Sequence, residues 1–327
     1  MGITIETAFV IRYFQDQVMS VARTVLLKIS DNQWLRANGT RLPFVRRAVS
    51  KFMPGESFDD MIAAAKATAA EGIQAVFTRL GENVKDLAEA EAVAHHYLEV
   101  TDRIRGLGLS CEPSIKLTQL GLDINRELAY GHLRALAARA QAAGSFLWID
   151  MEQSSYVDVT LDLTRRLKQE FPAVGVCLQA YLLRTRQDLE DVTSRGIGVR
   201  LVKGAYNEPP AVAFPKKSDV DANYLALAQA MLSAGPRAAG SRAVFGTHDL
   251  DLIGAIRGHA QSIGLKPAQY EFHLLYGIQK AAQLRLAREG TAVRVLIAYG
   301  EYWFPWYMRR LAERPANVWF VARSLFG

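Results

Sequence analysis

Polar and charged side chains stand at the ends of several short apolar segments in this sequence of 327 residues. Such segments are typical of buried strands, and a charge in a protein interior is costly unless it is paired or binds a ligand. Taken alone, each of these side chains is explained as well by an ion pair or by solvent exposure. Their recurrence at six strand ends indicates a site. They are Lys116, Thr118, Gln119, Asp150, Glu152, Gln179, Tyr181, Arg200, Lys203, Tyr206, Thr247, His248, Asp249, Glu271, His273 and Tyr276.

A metal site is one chemistry that such residues could support. Asp150 and Glu152 are two residues apart, so both carboxylates would lie on one face of a strand, and His248 could join them. The remaining histidines do not support this interpretation, because His95 and His96 are adjacent and no His-x-His occurs. We therefore expect no metal. A serine nucleophile is also disfavoured, since the sequence contains no Gly-x-Ser-x-Gly.

A second cluster of reactive residue types lies in the segment 301–315, EYWFPWYMRRLAERP. Pro305 suits the first turn of a helix and Pro315 suits its end. An aromatic ring beside two guanidinium groups suits a small carboxylate with an apolar body. A surface helix with an Arg–Glu pair is the alternative. One face of the predicted helix carries Trp306, Arg309, Arg310 and Glu313.

Short strand-like segments recur through most of the chain and alternate with segments of helical period. This alternation predicts βαβ units and a parallel sheet. The predicted strands are Ile73–Leu80, Pro113–Thr118, Phe146–Met151, Val174–Ala180, Gly198–Lys203, Ala243–Thr247, Tyr270–Leu275 and Val293–Ala298. Helical segments include Asp86–Arg105, Arg126–Ala143, Leu161–Glu170, Ala222–Ser233 and Leu284–Glu289.

Eight such units match the size of a (βα)8 TIM-type barrel, an α/β fold whose active site lies at the carboxyl ends of its strands. An open doubly wound sheet is the competing architecture. It would show a glycine-rich fingerprint after an early strand, and Gly106-Leu-Gly108 lacks the third glycine and precedes a strand. Residues 1–70 have no strand signal, so we predict an N-terminal helical arm over 1–70, with helices at Ser20–Lys28 and Phe58–Ala70, and a barrel over 71–327.

Composition excludes other classes of protein. Half of the residues are hydrophobic and 22% are charged, which excludes a disordered chain. The net charge of +6 is modest, and basic residues are scattered apart from Arg46, Arg47 and Lys51, so we expect no nucleic-acid partner. Attraction to acidic membrane surfaces is compatible with this charge. Cys111 and Cys177 are far apart and fit buried thiols in a reducing compartment. No signal peptide or transmembrane segment is evident.

Six strings of this sequence resemble the proline dehydrogenase family, in the family's order and over roughly residues 70 to 325. The strings RLVKGAY and YMRRLAE are the specific ones. The resemblance is to the short, monofunctional bacterial form. The matching segments are Ser114–Gly121, Ile149–Glu152, Val199–Tyr206, Gly246–Asp249, Tyr270–Gly277 and Tyr307–Glu313.

The resemblance implies a barrel that binds FAD and oxidises L-proline to Δ1-pyrroline-5-carboxylate, with electrons passing to a membrane quinone. It implies that Lys116, Arg309 and Arg310 hold the substrate carboxylate. Asp150 and Arg200 are the implied catalytic residues. Asp150 would orient a cation of this clamp, and Arg200 would lie at the reactive edge of the flavin, where its charge stabilises the reduced, anionic form.

The resemblance also bears on the proton of the substrate amine and on the location of the protein. We find no general base in the sequence, so solvent is expected to take that proton. The quinone acceptor suggests a cytoplasmic protein in peripheral contact with the inner face of the membrane.

The resemblance implies a set of binding residues as well. The implied walls of the substrate pocket are Leu275, Leu296 and Trp306. Implied FAD contacts are Met151, Gln179, Arg200, Lys203, Gly204, Ala205, Thr247, His248 and Glu313.

The sequence departs from the family's pattern around the substrate ring. Leu296 and Trp306 stand where many members have tyrosine, and Ala298 stands where proline is common. Asn207 replaces an aromatic residue of some members, and His273 stands where glutamine is common. Because the clamp is intact and the wall is changed, two alternatives stay open. One is a dehydrogenase of a related cyclic amino acid such as 4-hydroxyproline, and the other is a non-catalytic relative that binds FAD.

Overall fold

The computed structural model describes residues 49–304 and residue 307. Within them, eight parallel strands close into a barrel in which each strand pairs with the next and β8 pairs with β1. The predicted (βα)8 barrel is therefore confirmed. The strands are β1 (Gln74–Arg79), β2 (Cys111–Ile115), β3 (Leu147–Ile149), β4 (Val174–Gln179), β5 (Gly198–Val202), β6 (Ala243–Gly246), β7 (Glu271–Leu275) and β8 (Ala292–Tyr299).

Helices connect successive strands. Among the described residues, none of these helices has the length and apolar character needed to cross a membrane. Short 3₁₀ turns follow β2 and β3 and precede β7, at Leu117–Leu120, Ser154–Tyr156 and Pro267–Gln269. The helices are α1 (Phe58–Ala70), α2 (Leu87–Gly106), α3 (Arg126–Ala142), α4 (Val157–Lys168), α5 (Thr185–Ser194), α6 (Lys217–Met231), α7 (Ala234–Ala238), α8 (Leu250–Ser262) and α9 (Lys280–Arg288).

Helix α1 has the predicted bounds, and local chemistry explains them. Ser57 and Asp60 form a capping box, in which Ser57 Oγ accepts from Asp60 N at 3.1 Å and Asp60 Oδ2 accepts from Ser57 N at 3.1 Å. After the helix, Gly72 adopts a φ of 77°, which lets the chain turn into β1. Met61 of α1 is buried in the same cluster as Phe77 of β1.

The described residues fall into two compact units, Phe52–Gly300 and the remainder, namely 49–51, 301–304 and 307. The first unit contains the barrel and α1. The helix predicted at Ser20–Lys28 lies outside the described residues. The division of the chain at residue 70 stays a prediction.

The strands are largely buried on both faces, as is typical of parallel barrels. Their outward residues, such as Ile115 and Ile149, pack in one cluster with the helices. A separate cluster of Val76, Trp148 and Val244 is formed by the alternate residues, which face the barrel interior. Trp148 is fully buried there, and its ring centroid lies 5.3 Å from the guanidinium carbon of Arg200.

Four charged residues cross-link the amino-terminal end of the barrel. Each arginine contacts both glutamates: Arg242 lies 2.8 Å from Glu112 and 2.5 Å from Glu271, and Arg294 lies 3.0 Å from Glu112 and 2.8 Å from Glu271. Glu112 also accepts from Trp148 Nε1 at 2.7 Å. The four charges cancel, which offsets the cost of burying them. The ion pairs also connect the strands at the amino-terminal end of the barrel.

Candidate active site

The barrel brings the sequence-predicted residues of β2 to β8 together, because parallel strands that close into a barrel share one carboxyl end. Four predicted residues of the segment 301–315, Trp306, Arg309, Arg310 and Glu313, lie outside the described residues. The predicted residues inside the barrel or at its carboxyl end are Lys116, Asp150, Met151, Gln179, Arg200, Lys203, Gly204, Ala205, Thr247, His248, Leu275 and Leu296.

Arg200 lies at the centre of this group, on β5, with 4% of its side chain exposed. Three neighbouring elements hold its guanidinium. Nε donates to Cys177 Sγ at 2.8 Å, Nη2 donates to Ser114 Oγ at 2.7 Å, and Nη2 also forms an ion pair with Asp150 Oδ1. The guanidinium carbon lies 5.3 Å from the centroid of the Trp148 ring. These contacts restrain the side chain to one orientation.

The remaining nitrogen of Arg200, Nη1, is buried and has no hydrogen-bond partner among the described residues. An unpaired donor in a dry interior is costly. Burial by itself lowers the pKa of Arg200, but the Cys177 and Asp150 groups raise it above its ordinary value. The site therefore offers a fixed positive charge with one donor available to a ligand.

Asp150 follows β3 and directs its carboxylate to the arginine. Its Oδ1 accepts from Ser114 Oγ at 2.8 Å and contacts Arg200. The resemblance implied that Asp150 orients a cation of the carboxylate clamp. In the described part of the chain Asp150 has no ion pair with Lys116, and the cation that it orients is Arg200.

Lys116 is buried at the point where β2 turns into the following 3₁₀ turn. The strand predicted through Thr118 ends at Ile115, because residues 117–120 wind into the turn and Gly121 closes it with a φ of 91°. No carboxylate of the described residues lies within ion-pair distance of Lys116, so its ammonium is available to an anionic ligand.

Glu152 is one of the predicted strand-end residues, but the sequence assigns it no role beyond a possible metal site shared with Asp150. The two carboxylates do not converge, because Asp150 contacts Arg200 while Glu152 accepts from Thr118 N at 3.1 Å and from Thr118 Oγ1 at 2.5 Å. Burial raises the pKa of Glu152 to about 7 against the lowering effects of Thr118 and Lys116. Within the described residues, no group of three or more metal-ligating side chains is found.

Lys203 follows β5, and its charge is balanced. Its Nζ lies 2.5 Å from Asp221 Oδ1 on α6 and 2.8 Å from Asp249 Oδ2, the residue that caps α8. Asp249 is one of the predicted strand-end residues, whereas the sequence gives no indication that Lys203 also pairs with Asp221. Lys203 therefore joins the loops after β5 and β6 at the edge of the site.

Gly204 has a backbone reason for being glycine. Its φ is 118°, and a Cβ at this position would lie 2.3 Å from Cδ1 of Tyr181. The close approach of Tyr181 is by itself enough to require glycine here, so the residue type is not evidence for a cofactor.

The remaining predicted cofactor contacts are polar groups with defined local partners. Gln179 Nε2 donates to the Glu152 carbonyl oxygen at 2.8 Å, and Thr247 Oγ1 accepts from Asp249 N at 3.1 Å. His248 Nε2 accepts from Leu275 N at 2.9 Å, which places the imidazole proton on Nδ1. Met151 is buried next to Asp150, and Ala205 is partly exposed.

Leu275 and Leu296, the two predicted wall residues within the described chain, are neighbours. They are paired in register on β7 and β8, and both are partly buried. Leu296 also packs against the cluster that contains Trp148. The strand pairing thus forms a continuous apolar wall on β7 and β8.

The comparison with protein families identifies one that spans most of the chain. The family model described as proline dehydrogenase matches residues 61–323. Proline dehydrogenase 1 of Bacillus subtilis is 37% identical over 307 residues, which cover 93% of this chain and 98% of that protein. Proline dehydrogenase of Deinococcus radiodurans is 36% identical over 280 residues, covering 84% of this chain and 89% of that one.

A solved structure supports the fold. The crystal structure of proline utilization A from Bdellovibrio bacteriovorus superimposes with a TM-score of 0.75 at 23% identity, over 82% of this chain. The match covers 33% of that longer protein, so this chain corresponds to about a third of it. With the family model and the two relatives above, these findings establish that the chain belongs to the proline dehydrogenase family.

Proposed function

We propose that this protein is a flavin-dependent dehydrogenase that oxidises L-proline to Δ1-pyrroline-5-carboxylate, with FAD as its cofactor and a membrane quinone as electron acceptor. The observation that carries the proposal is Arg200, a buried cation held by Asp150, Ser114 and Cys177 with Nη1 unpaired among the described residues. Relatives named proline dehydrogenase support the choice of substrate.

A flavin fits the groups that are present. The buried Nη1 donor of Arg200 needs an acceptor, and the carbonyl oxygens and ring nitrogens of a flavin are acceptors. When bound, FAD supplies the hydride acceptor that protein side chains lack. Motif positions outside the described residues assign Glu313 to the same cofactor. Other residues that would hold it are Met151, Gln179, Lys203, Gly204, Ala205, Thr247 and His248.

The residues of the chain would bind and orient the substrate. Lys116, buried and without a carboxylate partner in the described chain, would attract the proline carboxylate. Arg309 and Arg310 are assigned to the same carboxylate by their motif alone. Asp150 would hold Arg200 in place, and the positive charge of Arg200 would stabilise negative charge that develops at its Nη1 side. No side chain of the described site is assigned as the base, so solvent takes the proton of the substrate amine.

A second candidate substrate is a substituted cyclic amino acid such as 4-hydroxyproline. The observation that favours it is the wall formed by Leu275 and Leu296, which has no polar side chain where many family members place a tyrosine. Trp306, the other replacement for tyrosine, is assigned to the substrate pocket by its motif alone. The intact Lys116, Asp150 and Arg200 disfavour a non-catalytic relative.

The quinone acceptor determines the proposed location. A quinone is dissolved in the membrane, so we place the protein in the cytoplasm with peripheral contact at the inner membrane face. The net charge of +6 would favour contact with acidic lipids.

The experiment for this proposal has two parts. First, the cofactor is released from purified protein and identified by chromatography, with FAD as the expected result. Second, Arg200→Met should lower the reduction potential of the bound flavin and slow its reduction, with a smaller change in proline affinity, because a positive charge is lost. Arg285→Met, on the exposed face of α9, is the matched control. An unchanged potential in a folded, flavin-loaded Arg200→Met protein would exclude Arg200 from the flavin site.

A further inference from the structure

Glu152 is a buried carboxyl group to which the proposed reaction assigns no role. Glu152 is 1% exposed, and both of its carboxylate oxygens accept hydrogen bonds from Thr118. The bond from Thr118 Oγ1 is 2.5 Å long and the bond from Thr118 N is 3.1 Å long. Such a bidentate arrangement fixes both the backbone and the side chain of Thr118.

Thr118 joins three loops at the carboxyl end of the barrel. It lies two residues after Lys116 in the turn that follows β2, and Glu152 reaches it from the loop after β3. From the loop after β1, Asn83 N donates to Thr118 Oγ1 at 3.0 Å and Val84 N donates to its carbonyl oxygen at 3.1 Å. Asn83 has a φ of 58°, a left-handed conformation that such hydrogen bonds help to hold.

The loop after β3 is anchored in turn. The carbonyl oxygen of Glu152 accepts from Gln179 Nε2 on β4 at 2.8 Å. A chain of hydrogen bonds therefore leads from β4 through Glu152 and Thr118 to the loop after β1. Lys116 lies two residues before Thr118, in the same turn. Glu152 is therefore connected to Lys116 by its two hydrogen bonds from Thr118 and by the backbone between Thr118 and Lys116.

The charges around Glu152 come from each loop that packs on it. Lys116 is the cation, on the β2 turn; Glu82, on the β1 loop, adds negative charge; and Tyr156 contributes a phenol from the turn after β3. Burial raises the pKa of Glu152 to about 7, and Thr118 and Lys116 lower it. Burial also raises the pKa of Tyr156 to about 12, so this phenol stays neutral near pH 7. Of these two groups, Glu152 is the one whose charge changes near pH 7.

We propose that Glu152 is a positioning residue for the substrate carboxylate, acting through Thr118 on Lys116. It orients the Lys116 turn, and its own charge opposes the attraction that Lys116 exerts on an anion. This inference rests on the proposed function, because it assumes that the anion at Lys116 is the carboxylate of proline. A purely structural clamp would hold the loops but would leave the pH dependence of anion binding unchanged.

Tetrahydrofuran-2-carboxylate is the probe for this proposal, because it has the carboxylate of proline and a ring oxygen in place of the titrating amine. Its Kd is measured by calorimetry on the flavin-loaded protein between about pH 5.5 and pH 8.5. In the wild type, binding should weaken by about tenfold across this range as Glu152 becomes negative, an effect of the size expected for charges several ångströms apart. In Glu152→Gln the Kd should be nearly independent of pH.

Thr118 variants test the path of the effect and cover the case in which Glu152→Gln does not fold. Thr118→Ser keeps the hydroxyl, so the Kd of the probe and the KM for proline should equal the wild-type values. Thr118→Val should raise both the Kd of the probe and the KM for proline several-fold, with a smaller change in kcat. Thr164→Val is the matched control, since Thr164 is equally buried on α4 and donates only to Thr160 O among the described residues.

The outcomes separate this inference from the proposed function. Equal pH dependence in the wild type and in Glu152→Gln, or wild-type Kd values in Thr118→Val, would overturn the role of Glu152. Failure of the wild type to bind the probe would overturn it as well. If the probe binds as expected but proline does not reduce the flavin, the assignment of proline as substrate fails while the role of Glu152 in anion binding stands.

Discussion

Arg200 Nε donates to Cys177 Sγ at 2.8 Å, across the pairing of β5 with β4. Burial raises the pKa of Cys177 to about 12, so the group is a neutral thiol near pH 7. The thiol thus acts as a fixed acceptor for a cation whose other contacts are Ser114 and Asp150. The proposed chemistry depends on this restraint, since Arg200 must be oriented before the substrate binds.

Replacing this thiol should slow the reaction without removing the cofactor. Cys177→Val takes away the acceptor of Arg200 Nε, and a lost bond to a buried charged group costs about 1.5–3 kcal/mol, so we expect the rate of flavin reduction by proline to fall by at least tenfold. Stopped-flow absorbance measures it. Cys111→Val is the matched control, because Cys111 is also buried but begins β2 at the other end of the barrel. Equal rates in the two variants would contradict the role of Cys177.

The two arginines of the YMRRLAE segment should determine proline affinity. Arg309→Met and Arg310→Met should each raise KM by tenfold or more while the protein keeps its flavin, since a charge-assisted hydrogen bond contributes about 1.5–3 kcal/mol. Steady-state kinetics and the flavin spectrum measure the two effects. Wild-type KM values in both variants would show that this segment does not bind the carboxylate.

Glu152 should make stability depend on pH in a defined direction. Its pKa of about 7 in the folded chain lies above the ordinary 4.5, so folding favours the protonated form. The contribution of the Glu152 proton to the free energy of unfolding is fully present below about pH 4.5 and is lost as the pH rises through about 7. This contribution is on the order of 3 kcal/mol at most. Glu152→Gln does not titrate, so it should gain stability relative to the wild type between pH 5 and pH 8. Urea unfolding measures this difference, and a difference that stays constant with pH would contradict the assignment.

The wall residue Leu296 should affect substrate choice. An apolar pocket rejects an added hydroxyl by about 10²-fold at most, so we expect the wild type to discriminate weakly between proline and trans-4-hydroxyproline. Leu296→Tyr should increase the discrimination, because the phenol restores the residue that many family members have. The ratio of kcat/KM values for the two substrates measures it. Wild-type discrimination well above about 10³-fold, with no gain in Leu296→Tyr, would show that the pocket is not open at Leu296.

The barrel was predictable because its signals are local. Each strand is a short apolar segment and each helix has its own period, so the order of elements follows from the sequence alone. The bounds of α1 were predictable as well, since Gly72 ends the helix at a φ of 77°. The end of β2 was predicted too late, because the apolar and β-branched residues Leu117 and Thr118 continue the strand-like pattern but here wind into a 3₁₀ turn.

The pairing of site residues was less predictable, because it depends on contacts between distant strands. Asp150 and Arg200 were both expected in the site, but the sequence did not indicate that they bond to each other. The bonds from Thr118 to Glu152 and from Lys203 to Asp221 join residues on different structural elements, and no spacing rule reports such contacts. The available signal for Glu152 is its spacing of two residues from Asp150, and that spacing indicates a metal pair as readily as a hydrogen bond to Thr118.

Anaerobic titration of the purified, flavin-loaded protein with L-proline is the measurement that tests the central claim most directly. We predict that the oxidised flavin band bleaches fully with L-proline, that added quinone restores it, and that D-proline bleaches it far more slowly. A flavin that keeps its oxidised spectrum at saturating L-proline, in protein that binds tetrahydrofuran-2-carboxylate, would contradict the assignment of this chain as a proline dehydrogenase.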